Sequence, residues 1–129
     1  KCGNYLCIAS PRASQASSVG TLIAERAFGR LGNGVHTQAV PTGVLSKCRL
    51  RYRKDGDVIQ PLGMKGTRKL QDYLTDRKIP QPMRDHLPLL CIGQRVVWVI
   101  GVGAGEEARC TGNGEEVLLT YSGRLPFEP

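Results

Sequence analysis

The sequence predicts an α+β fold, a small mixed or antiparallel β-sheet or sandwich carrying one or two short helices. Sixteen glycines and eight prolines punctuate short apolar runs, a pattern that favours many strands and turns over long helices. Two segments, V-H-T-Q-A-V and C-R-L-R-Y-R, alternate as half-buried strands do. Helical spacing is confined to residues 21–31 and 67–78. At 129 residues, 40% hydrophobic and 22% charged, the chain is sized for one ordinary folded domain or slightly more. It falls below the usual size of a complete nucleotide-dependent enzyme.

Taken in order, N-Y-L-C-I-A (4–9) predicts a strand, and the Ser- and Ala-rich S-P-R-A-S-Q-A-S-S-V-G after it predicts a loop. Leu22, Ile23, Ala27, Phe28 and Leu31 predict a helix from Thr21, stopped by Gly32. L-G-N-G (31–34) is a turn signal ahead of the strand V-H-T-Q-A-V. From Cys48 to Arg53 strict alternation places Cys48, Leu50 and Tyr52 on one face and Arg49, Arg51 and Arg53 on the other. The three guanidiniums would stand about 6.6 Å apart, twice the strand rise, as a ladder suited to a phosphodiester backbone. K-D-G-D (54–57) predicts a turn with Gly56 at positive φ, and the strand resumes at Val58 and Ile59.

G-M-K-G-T-R-K (63–69) reads as a basic loop feeding a helix from Thr67 to about Lys78, with Leu70, Tyr73 and Leu74 as its apolar stripe. Capping by Gly66 or Thr67 would set Arg68 and Lys69 at the positive end of the helix dipole. Pro80 and Pro82 end that helix, and residues 82–88 predict one further helical turn. Leu89–Ile92 and Arg95–Ile100 predict a hairpin about Gly93-Gln94, with Val97, Trp98 and Val99 in the core beside Leu89, Leu90 and Leu50. Glu116–Tyr121 predicts the last strand, and 122–129 a frayed tail.

Charge is local. Residues 47–90 hold eleven of the eighteen Lys and Arg against five carboxylates, a net +6, and the other 85 residues contribute +1. A concentration of this kind is what a polyanion site needs, although a solvated basic face without a partner has the same composition. No apolar run approaches the ~20 residues that a membrane helix requires, and no secretory signal opens the chain. The first residue is Lys1, so a piece of a longer polypeptide is expected. Five cysteines without a C-x-x-C pair read as buried thiols in a reducing compartment, in preference to disulfides or a zinc site, and a cytoplasmic chain is expected.

No catalytic motif is recognisable: no G-x-S-x-G, no H-E-x-x-H, no Ser-Gly-Gly-x-Asp-Ser and no P-loop. The expected catalytic and metal residues are therefore none, with His36 and His86 read as structural. G-V-G-A-G (101–105) lacks the spacing and following helix of a dinucleotide turn.

The ordered series R-Y-R-K-D-G-D-V-I-Q-P-L-G-M-K-G-T-R-K-L-Q-D-Y-L-T-D-R-K-I-P, M-R-D-H-L-P-L-L, V-V-W-V-I-G and E-E-A-R-C-T resembles the C-terminal domain of bacterial tRNA(Ile)-lysidine synthetases, over about residues 48–121. The resemblance implies a tRNA-binding module, with a fold also seen in a tRNA synthetase subunit, that grips the acceptor-stem side of an isoleucine tRNA. In that family an upstream ATP-pyrophosphatase-type domain, with ATP and magnesium, adenylates a wobble cytidine and couples lysine to it. This chain would carry no cofactor and be inactive alone. Carried over by motif, the RNA-binding residues are Arg51, Arg53, Lys65, Arg68, Lys69, Arg77, Lys78 and Arg84. Gln71, Val58, Thr67 and Lys65 depart from the family's usual residues at their positions. The implied organisation is an N-terminal segment at 1–46, the tRNA-binding domain at 47–121 and a tail at 122–129. The alternative is a scaffold domain that packs its basic face on an acidic partner domain.

Overall fold

The structure is a computed structural model that describes residues 12–16, 20–27, 31–110, 115–122 and 125–126. Two sheets make an α+β sandwich. The first is antiparallel, in the order β1 (Arg12–Ala16), β2 (Thr21–Arg26), β10 (Glu116–Ser122), β3 (Thr37–Pro41). The second runs β4 (Arg49–Arg51), β7 (Leu89–Ile92), β8 (Arg95–Val99), β5 (Val58–Ile59), β6 (Arg68–Lys69), with β9 (Gly103–Ala104) also on β8. It is mixed, because β5 lies parallel to β8 while the other pairs are antiparallel. Among the described residues there are also three short helices, α1 (Thr42–Leu45), α2 (Leu70–Asp76) and α3 (Gln81–Arg84), with a 3-10 turn at Glu106–Ala108.

The β7–β8 hairpin forms where the sequence places it, and both of its faces are buried. Leu90, Val97, Trp98 and Ile100 join Leu22, Val40, Val117 and Leu119 between the sheets. Leu89, Cys91, Val96 and Val99 meet Leu70, Tyr73 and Leu74 of α2 on the opposite face. Two neighbours, Val97 and Trp98, belong to the same core because the register shifts between Leu90 and Cys91. Leu90 pairs with Trp98 but Cys91 with Val96, so Val97 is the extra residue of a bulge. Trp98, wholly buried, donates its indole N–H to the Gly34 carbonyl at 3.2 Å, which ties the core to the predicted turn at 31–34. In that turn the Asn33 side-chain oxygen accepts three backbone N–H bonds, from Val35, His36 and Thr37.

The apolar stripe of α2 is as read: Leu70, Tyr73 and Leu74 are all buried. Leu70→Ala is expected to lower stability by roughly 2–5 kcal/mol in denaturant unfolding. A change below about 0.5 kcal/mol would show that the helix face carries no packing load.

Several expectations are corrected. Thr21–Arg26 is a strand and not a helix: Leu22 and Ala24 alternate into the core while β10 pairs along the whole segment. Six residues of ambiguous spacing take the conformation that their sheet neighbour offers. Arg12–Ala16, expected in a loop, pairs with β2. The helix begins at Leu70 and not Thr67, with Lys69 as its N-cap residue, because Arg68 and Lys69 extend the sheet opposite Ile59 and Val58. They therefore do not stand within a helical first turn. The tail is not all frayed, since Leu125 is buried in the main core. The strand expected at 4–9 lies outside the described residues.

Of the glycines of G-V-G-A-G, Gly105 serves close backbone approach. A Cβ on Gly105 would fall 2.8 Å from the Val96 carbonyl oxygen, and the Gly105 N–H bonds Val97 O at 2.7 Å. Cys48 and Cys91 are buried free thiols whose pKa values burial pushes up to about 12. Cys110 is free and half-buried. Among the described residues no helix is long and apolar enough to cross a membrane, and no cluster of His, Cys, Asp and Glu is arranged to hold a metal.

Candidate nucleic-acid interface

The arginine ladder does not form, because β4 ends at Arg51, and Arg51 and Arg53 are each taken up by a carboxylate, Asp57 and Asp85. Gly56, at φ 89°, closes the turn that returns Asp57 towards Arg51. The Asp57 carboxylate, 1% exposed, accepts from Arg51 Nη1 at 2.9 Å, Arg51 Nη2 at 2.8 Å and the Lys54 backbone N–H at 2.8 Å. Arg51 also donates to the carbonyls of Tyr52 and Gly93, at 2.8 and 2.9 Å. Its pKa is raised, first by the hydrogen bond to Asp57. A carboxylate taken out of water needs such a forked partner, so Arg51 joins β4, the 54–57 turn and the β7–β8 turn. Arg84, buried, donates to the carbonyls of Ile79 at 2.9 Å and Gln71 at 3.3 Å, clamping α3 onto α2. Two of the eight expected contact residues thus hold the scaffold together.

Two more are paired at the surface, Arg53 with Asp85 at 2.6 Å and Arg68 with Asp76. Arg77 lies over the Tyr73 ring, its guanidinium carbon 5.0 Å from the centroid. Lys65, Lys69 and Lys78 are exposed and make no ion pair among the described residues.

The structure adds basic residues that were not among the eight expected contact residues. A groove of about 360 Å³ is lined by Lys47, Arg49, Arg51, Lys54 and Gln94. A second, of about 400 Å³, is lined by Arg53, Lys54, Asp55, Asp57, Lys69 and Gln71, three cations against two carboxylates. Lys54 lines both, so the grooves adjoin, and Lys47, Arg49, Lys54 and Lys69 form one cationic tract across them. Lys47 and Lys54 sit outside the strands, where no periodicity singles them out. Arg49 carried a signal, because it shares the outward face of β4 in the alternation.

The described residues thus form a small α+β sandwich that carries two adjoining grooves lined largely by cations. The family model described as the TilS substrate C-terminal domain matches residues 48–121, and the chain belongs to that family. It is similar to the tRNA(Ile)-lysidine synthase of Caldanaerobacter subterraneus subsp. tengcongensis, 43% identical over 70 residues covering 54% of this chain and 15% of that protein. The Symbiobacterium thermophilum tRNA(Ile)-lysidine synthase is 55% identical over 53 residues, covering 41% of this chain and 11% of that protein. A solved structure, described as a crystal structure of the TILS C-terminal domain, superimposes with a TM-score of 0.66 at 28% identity, covering 91% of this chain and 95% of that one. The chain thus spans about 15% of the length of curated relatives it matches.

Proposed function

We propose that this chain is the tRNA-holding C-terminal module of a tRNA(Ile)-lysidine synthase, and that an upstream domain of the same cytoplasmic polypeptide performs the chemistry. That chemistry would be ATP- and magnesium-dependent adenylation of a wobble cytidine in an isoleucine tRNA, followed by ligation of lysine. The module would engage the acceptor-stem side. The observation that carries the reading is the tract of exposed cations along adjoining grooves, Lys47, Arg49, Lys54 and Lys69, set on a scaffold of this family. A lysine-rich groove follows a phosphodiester backbone through point charges, and each neutralised phosphate releases counterions.

Equilibrium binding of the chain to isoleucine tRNA over a salt series tests this. The logarithm of the association constant is expected to fall linearly with the logarithm of salt, with a slope magnitude of about 0.7–0.9 per phosphate contacted. Absence of salt-dependent binding would favour the scaffold reading, in which the basic face packs on an acidic partner. The chain alone is also expected to form no lysidine with tRNA, lysine and ATP. Incorporation of labelled lysine by this chain would overturn the division of labour.

A further inference from the structure

At the far end of α2 the backbone does something costly. Lys78 has φ 59°, the sole positive φ at a non-glycine among the described residues. It occupies the left-handed position of a helix-ending motif: the Lys78 N–H bonds Thr75 O and the Ile79 N–H bonds Leu74 O, both at 3.0 Å. Glycine is the usual residue there, because it has no Cβ to strain. Strain kept at one residue points to a use for its side chain.

The surroundings of Lys78 indicate that use. It lines an open surface hollow of about 470 Å³ together with Arg77, Ile79, Pro80, Met83 and Val102. Four of these are apolar and two are cationic. Arg77 is exposed and stacked on Tyr73, so its guanidinium plane has a fixed backing. Apolar walls beside two cations suit the two halves of a nucleotide: a base against the side chains and a guanidinium plane, a phosphate against the ammonium. A bare duplex phosphate would leave the apolar walls unused.

We infer that this hollow receives one unstacked nucleotide of the bound RNA, its base against Met83, Val102 and Arg77 and its phosphate on Lys78. The inference rests on the RNA-binding reading and adds to it a contact with unpaired RNA.

The test uses two RNA hairpins, identical except that one carries unpaired 3′ nucleotides and the other is blunt. The wild-type chain is expected to bind the extended hairpin about fivefold or more tightly, the scale of one base stacked on a protein surface. Met83→Gln, which removes apolar contact without changing charge, is expected to abolish that preference and leave the salt slope unchanged. Lys78→Gly is expected to weaken binding to the extended hairpin and to lower its slope magnitude by about 0.7, while raising the thermal midpoint by a few degrees. Equal affinity of the wild type for the two hairpins, with normal salt dependence, would overturn the pocket and leave the RNA reading standing. Retained preference in Met83→Gln, or an unchanged affinity and slope in Lys78→Gly, would also overturn it. Absence of salt-dependent binding to either hairpin would overturn the RNA reading itself.

Discussion

Asp57→Ala is expected to lower the unfolding free energy by roughly 3–5 kcal/mol, the usual consequence of removing one partner from a buried ion pair. Asp57 is enclosed, and the side chain of Arg51 is 12% exposed. Removing the carboxylate leaves a guanidinium half-satisfied by the Tyr52 and Gly93 carbonyls, and it frees the Lys54 N–H that closes the 54–57 turn. Three connected elements lose their common anchor: β4, that turn and the Gly93 turn between β7 and β8. Urea unfolding of the variant measures the effect, and a loss under about 1 kcal/mol would show that the pair is incidental. Arg51→Ala should also be destabilising, so reduced RNA binding in that variant would report damage to the scaffold.

Replacing Lys47, Lys54, Lys65 and Lys69 together by Gln carries the largest expected functional effect. If each meets a phosphate, the slope of log K against log salt should shrink in magnitude by about 2.8–3.6, four times the contribution of one charge. Affinity at low salt should collapse with it. Stability should hardly change, since these exposed side chains make no ion pair among the described residues and surface charges contribute little to folding. An unaltered slope in a folded variant would remove the lysines from the interface.

The parts of the fold that were legible in the sequence are those where local pattern and tertiary demand agree. Leu70, Tyr73 and Leu74 share one helix face and are buried on it, and Gly93-Gln94 turns a hairpin between two apolar strands. Thr21–Arg26 was illegible because its spacing fits either conformation and its partner, β10, lies some ninety residues further along the chain. The site shows the same division. Counting charge located the basic region but did not separate a guanidinium that neutralises a buried carboxylate from an ammonium that faces water. Arg51 and Asp57 stand six residues apart across a glycine turn, a spacing that permits the pair without requiring it. Lys47 and Lys54 belong to no pattern, and only the folding of two turns beside β4 and β7 makes them neighbours of the same groove.

Amine-reactive labelling of the lysines with and without saturating tRNA, read by peptide mass spectrometry, tests the central claim most directly. Protection is predicted at Lys47, Lys54 and Lys69, fading as salt rises and the complex dissociates. Equal labelling of these three lysines in the free chain and under saturating tRNA would contradict the assignment of the grooves as the RNA-binding face.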